Sequence, residues 1–112
     1  MITYDIDYSP QAIRDMDDIF DDVLLVSCDL DITHRYLDDL QDKIESMSKH
    51  PKTGTPLYYE ELFTGYYSVR FKEYLAFYRL EGTMMYVDRV LQRKRDYMSI
   101  LFGHVKDEDK PF

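Results

Sequence analysis

The spacing of apolar residues changes once along this chain, and the change limits the folds open to it. From Ile13 to Met47 the apolar residues return at helical intervals, whereas from Tyr67 onward they alternate with polar ones or form short runs. Helices grouped ahead of strands specify an α+β layer, with helices on one face of a largely antiparallel sheet. A strand precedes the helices as well. "ITYDIDYS" alternates Ile2, Tyr4, Ile6 and Tyr8 with Thr3, Asp5, Asp7 and Ser9, the pattern of a strand with one apolar face.

"SPQA" opens the first helix, with Ser9 as its cap and Pro10 at the first helical position, where a missing N–H costs nothing. Ile13, Met16, Ile19, Phe20 and Val23 form its apolar stripe, and the acids of "RDMDDIFDD" occupy the solvated face as far as about Val26. A second helix starts near Asp31 or Thr33, buries Leu37, Leu40, Ile44 and Met47, and stops at "KHPKTGTP". The short link between the two predicts an antiparallel helical hairpin. "YYEELF" is read as a turn of helix before Gly65. Then come "YYSVRFK", "YLAFYRL" and "TMMYVDRVLQ", three strands whose short connections require antiparallel hairpins; the second is apolar on both faces and so central. "YMSILF" suits a short closing helix, and the tail 103–112 reads as frayed. The expected order is strand–helix–helix–three antiparallel strands in a single domain, 1–112. The hairpin covers one sheet face and the other is partly open.

Composition removes several function classes. The lone Cys28, between Val26 and Leu30, has no partner for an internal disulfide and is read as a small buried residue. His34, His50 and His104 are scattered without zinc spacing, and "DMDDIFDD" lacks the glycine and spacing of a calcium loop. No metal and no cofactor are expected. The longest purely aliphatic run, Val23 to Val26, is too short for a bilayer, and the opening residues lack a secretory pattern, so a cytoplasmic protein with no membrane partner is expected.

The formal net charge of −8 is unevenly distributed. Residues 1–65 hold 5 cations against 15 anions, whereas residues 66–95 hold 7 cations against 3 anions. Four of those cations, Arg89, Arg93, Lys94 and Arg95, fall within "RVLQRKRDY". The run has two readings: a solvated set pairing with the acidic helices, or, with Arg70, Lys72 and Arg79 on the same sheet, a contact surface for nucleic acid or an acidic partner. Strand parity places Arg89 on the face of Met85 and Val87, within reach of a helix carboxylate. Most of the tyrosines fit core or sheet-face positions, and those at 58, 59, 66 and 67 also offer a stacking surface.

Four phrases in order, "YSPQAIRDMDDIF", "YLDDLQDKIESMSKHPKTGTP", "YLAFYRLEG" and "VDRVLQRKRDYMSILF", resemble the RelE/ParE superfamily of toxins from type II toxin–antitoxin systems, over roughly residues 2–102. The resemblance implies a RelE/ParE-like fold, a cognate antitoxin as partner, and a role in growth inhibition and plasmid stabilisation. It also implies one of two targets. ParE-like members resemble inhibitors of DNA gyrase, and "FYRLEG" followed by "VDRVL" looks closer to them. RelE-like members resemble metal-free endoribonucleases acting on messenger RNA at the ribosome. That chemistry needs a base for the 2′-hydroxyl, cations for the pentacovalent phosphate and an acid for the leaving oxygen.

By this resemblance Arg70 and Arg93 take the phosphate-stabilising positions and Tyr97 the proton donor or acceptor. Arg89, Lys94, Arg95 and Lys72 supply target binding. Leu75 stands where RelE-like enzymes place a third Arg, Ser99 close to where they place a Tyr, and Gln92 where many relatives have His. A degenerate, non-toxic member is the third reading.

Overall fold

A computed structural model describes residues 2–102. The expected order is present with one strand added: β1 (Asp5–Tyr8), α1 (Pro10–Ser27), α2 (Leu30–Ser46), β2 (Thr55–Tyr59), β3 (Leu62–Phe71), β4 (Tyr74–Glu81), β5 (Met84–Gln92) and α3 (Tyr97–Phe102). The strands form one sheet in the order β1-β5-β4-β3-β2. β1 runs parallel to β5 and every other neighbour is antiparallel. The tail 103–112 and His104 lie outside the described residues.

The added strand corrects the reading of 58–63 as helical. Tyr58 pairs with Phe63 and Tyr59 with Leu62, so Glu60 and Glu61 form a two-residue hairpin loop. Glu60 takes a positive φ of 57°, as do Lys72 (53°) and Gly82 (58°) at the start of the next two hairpin loops. Two-residue loops favour such a φ because it matches the twist of the flanking strands.

Ser9 caps α1 as expected. Its Oγ accepts from the Ala12 N–H at 2.9 Å and its hydroxyl donates to the Asp88 carbonyl at 2.8 Å, while its own N–H reaches the Val87 carbonyl at 2.9 Å. The cap therefore also fastens α1 to β5. The second helix starts earlier than the sequence suggested, because the Asp29 carboxylate accepts from the Ile32 N–H at 3.1 Å. Cys28 is exposed, not buried, since it forms the left-handed residue (φ 54°, ψ 33°) that ends α1. Its backbone N–H donates to the Leu24 carbonyl, satisfying one of the carbonyls a helix end leaves open.

Ala12 and Ile19 of α1 and Leu40 and Ile44 of α2 pack on Val69, Ala76, Tyr78, Met85, Val87 and Val90 of the sheet. Each large side chain buried this way contributes about 1.5–3 kcal/mol. The α1 stripe is rotated from the expected one: Ile13 is exposed, while Asp15, assigned to the solvated face, is buried. On the opposite sheet face α3 lays Tyr97 against Phe77 (ring centroids 5.1 Å apart) and Phe102 against Tyr66 (6.0 Å). That face is thus partly covered.

Candidate functional site

Arg70, Lys72 and Arg93 lie where β3 ends, β4 begins and β5 ends, and backbone pairing decides what the side chains of the basic segment can do. Arg70 of β3 faces Leu75 of β4, which faces Leu91 of β5. An apolar pair thus lies beside Arg70, with Leu75 in the middle strand. The exposed Arg70 turns its Nε to the Lys72 carbonyl at 2.9 Å, and the Arg93 N–H donates to the Glu73 carbonyl at 2.9 Å. Both arginines are therefore gathered at the β3–β4 turn. Lys72 points elsewhere, with Nζ 4.9 Å from the Tyr36 ring centroid and 5.4 Å from that of Phe71, on the side of α2.

Most of the described strand arginines hold a carboxylate. Arg89 donates from Nε and Nη2 to Asp15 at 2.8 and 3.0 Å, and Asp15 also accepts the Val90 N–H at 2.9 Å. This realises the helix carboxylate that strand parity suggested for Arg89. A bulge accompanies it: Phe77 pairs with Arg89 and Tyr78 with Val87, leaving Asp88 as an extra residue. Asp88 accepts from the Tyr66 hydroxyl at 2.7 Å and from Arg79 Nε at 2.9 Å, and Arg79 also pairs with Glu81. Arg93 Nε meets Glu73 Oε1 at 3.3 Å, an exposed pair worth little.

Hydrogen bonding to Asp15 raises the Arg89 pKa above its ordinary value, and the bond to Asp88 does the same for Arg79. Burial, then the Asp88 hydrogen bond, pushes Tyr66 up to about 12. These shifts fix charge states and create no group poised near neutrality.

Tyr97 is half-buried against Phe77 at the start of α3. Asp96 caps the same helix, accepting the Ser99 N–H at 3.3 Å and the Ser99 hydroxyl at 2.8 Å. Lys94 and Arg95 are exposed. Arg95 borders a cleft of about 640 Å³ that also touches Asp15, Asp18, Asp22, Tyr74 and Gln92. The structure therefore draws Arg70 and Arg93 to one turn, places Tyr97 over the apolar centre of the sheet, and turns Lys72 and Arg89 toward the helices.

The residues that sequence reasoning missed are the acids: Asp15, Glu73 and Asp88. Glu73 and Asp88 were visible as the acids interrupting a basic segment. Asp15 carried no signal among its acidic neighbours. Among the described residues no cluster of His, Cys, Asp and Glu could hold a metal ion, and no helix is long and apolar enough to cross a membrane.

Solved structures described as belonging to toxin–antitoxin systems share this α+β fold with a helical hairpin on one face of the sheet. They include a chain of the chromosomal ParDE toxin–antitoxin system of P. aeruginosa, at 14% identity with a TM-score of 0.68, covering 80% of this chain and 96% of that one. A chain of the RelBE2 toxin–antitoxin complex of Mycobacterium tuberculosis is 24% identical with a TM-score of 0.60, covering 82% and 100%. The YoeB/ParE toxin of Agrobacterium tumefaciens is 18% identical with a TM-score of 0.55, covering 80% and 98%. No curated protein matches this chain in sequence. Residues 6–97 match the family model of the ParE toxin of the type II toxin–antitoxin system parDE, and the chain belongs to that family.

Proposed function

We propose that this toxin acts in the ParE manner, as a cytoplasmic binding inhibitor of DNA gyrase that arrests growth, stabilises plasmids and is neutralised by a cognate antitoxin. The observation that carries the reading is the apolar centre of the basic face. Stabilising a pentacovalent phosphate requires cations converging on one point. Here Leu75 and Leu91 lie next to Arg70, Tyr97 rests on Phe77, and Arg79, Arg89 and Arg93 already hold carboxylates. Such a surface suits recognition better than phosphoryl chemistry. The match to the ParE model over residues 6–97 points the same way.

One observation favours the ribosome-dependent ribonuclease reading. Arg70 Nε donates to the Lys72 carbonyl and Arg93 Nε to Glu73, so two guanidinium groups lie at the β3–β4 turn, and the exposed Arg93–Glu73 pair is weak enough to give way to a phosphate. In either case the antitoxin is expected to wrap the helical hairpin and the open sheet, covering the basic 70–95 surface.

The test is to express the chain without its partner and assay separately for gyrase-dependent DNA breaks and for ribosome-dependent message cleavage. DNA breaks with intact message are the expected outcome. Cut message with intact DNA overturns the gyrase reading in favour of Arg70, Arg93 and Tyr97 as a catalytic set. Growth without harm identifies a non-toxic binding partner. In whichever assay is positive, Arg93→Ala with Arg95→Ala is expected to abolish the effect, and full activity would remove the cluster from the mechanism.

A further inference from the structure

Beyond the last residues that pair with β4, strands β2 and β3 continue alone. The β3–β4 ladder begins at Tyr66, so Leu62–Gly65 and the facing end of β2 form a two-stranded arm. An isolated two-stranded ribbon is marginal in water, and its apolar groups are normally sheltered. This arm instead exposes Tyr59 (50%) and Leu62 (73%) on one face and Tyr58 (54%) and Phe63 (45%) on the other, because each cross-strand pair shares a face. Apolar groups concentrated like this on one protruding element mark interaction sites.

The arm is also held in place. Tyr58 meets Phe63 at 5.7 Å, Phe63 meets Tyr67 at 5.3 Å, and Tyr67 stacks on the fully buried Tyr78 at 5.7 Å. An aromatic ladder therefore runs from the exposed end into the core. The Thr64 hydroxyl donates to the Leu57 carbonyl at 2.7 Å across the arm, where the register between the strands shifts. Gly65 adopts φ +92°, a conformation that suits glycine at such an irregularity. A surface arranged before contact loses less freedom on binding.

Charge selects the occupant. Between Lys52 and Arg70 the only charged residues are Glu60 and Glu61, both exposed at the tip. A second copy of this chain fits poorly, because tip-to-tip contact gathers four carboxylates. Side-by-side pairing along β2 meets Pro56, which has no N–H to donate. From the aromatic arm and its acidic tip we infer that it docks an amphipathic segment of a partner protein, with an apolar stripe lying on the free face formed by Tyr59 and Leu62 and Lys or Arg side chains meeting Glu60 and Glu61. The inference is independent of whether gyrase or the ribosome is the toxin's target.

The probe is a labelled synthetic helical peptide with leucines along one face and lysines beside them, titrated against the full chain by fluorescence anisotropy; a peptide with glutamates in place of lysines is the control. The lysine peptide is expected to bind and the glutamate peptide not to. Glu60→Gln with Glu61→Gln, and separately Leu62→Ser, should each weaken binding by about tenfold or more. Asp17→Asn with Asp18→Asn removes the same charge from α1 and should leave affinity within about twofold. All these positions are exposed, and unchanged circular dichroism verifies folding. Absence of binding, or an equal loss in the α1 variant, overturns the proposal, the latter by reducing it to general attraction to an acidic protein. Concentration-dependent dimerisation abolished by Leu62→Ser would identify a second copy as the occupant and overturn it equally.

Discussion

Replacing Asp15 tests the reasoning on which the basic face rests. The carboxylate is 7% exposed and makes three hydrogen bonds, two to Arg89 and one to the Val90 N–H. Breaking a buried ion pair from one side costs about 3–5 kcal/mol, chiefly because the surviving charge lacks a partner. The Arg89 side chain is 20% exposed, so water recovers part of that loss. The stranded Val90 N–H adds a desolvation cost of about 1–3 kcal/mol. Together these place Asp15→Leu at about 3–4 kcal/mol of destabilisation, a large share of the ~5–15 kcal/mol typical of a domain. The assay is equilibrium unfolding in urea followed by far-ultraviolet circular dichroism, with an unchanged m-value as the two-state check. Adding Arg89→Met to Asp15→Leu removes the orphaned charge, so the double variant should be more stable than Asp15→Leu alone. Two effects that add within about 0.5 kcal/mol would refute the pair as an energetic unit.

Three further perturbations have defined outcomes. A Cβ on Gly54 would lie 2.1 Å from the Tyr78 hydroxyl oxygen and 3.0 Å from the Ser68 carbonyl, so Gly54→Ala should cost about 1–3 kcal/mol by thermal melting, with partial rescue from Tyr78→Phe. Ser9→Ala deletes the α1 cap and its bond to the Asp88 carbonyl, and a loss of about 1–2 kcal/mol in urea is expected. Burial first, and then the neighbouring carboxylate for Tyr66 or Tyr67 for Tyr78, lifts these two hydroxyls to about 12. The folded state then keeps protons that the unfolded chain releases near pH 10. Stability is therefore full below that pH and falls from about 10 towards 12. Melting temperature against pH should show this decline, and Tyr66→Phe with Tyr78→Phe should make it shallower, the rest coming from Tyr8, Tyr36 and Tyr74, which burial raises likewise.

The architecture was legible because the helices and the three long strands carry different periods, and because Ser9 and Pro10 mark a helix start that tertiary contacts reinforce. "YYEELF" misled because Tyr58, Tyr59, Leu62 and Phe63 fit one helical turn as readily as two facing strand ends. The usual Asn or Gly of a two-residue loop is absent, and pairing with the rest of β3 decides the outcome. Cys28 was misplaced because burial habit gives no hint that this position must be left-handed to end α1. At the site, the positions of the cations were readable but their partners were not. Asp15 looks like any other acid in "RDMDDIFDD", and only the approach of β5 separates it from Asp17 and Asp18. The bulge at Asp88 similarly depends on pairing between strands that local sequence does not specify.

The place of β5 in the sheet has a consequence for how the protein comes into being. Among the described residues β1 has its only strand neighbour in β5, and Ser9 and Asp15 reach across to Val87, Asp88, Arg89 and Val90. During synthesis residues 5–15 therefore wait for β5, and a nascent chain without it lacks both the parallel pairing and the ion pair that tie α1 down. Contacts so distant in sequence form late and slowly. The toxin's basic face is consequently completed only after β5 has been made, which leaves an interval in which a partner already present can meet the chain before that face has formed.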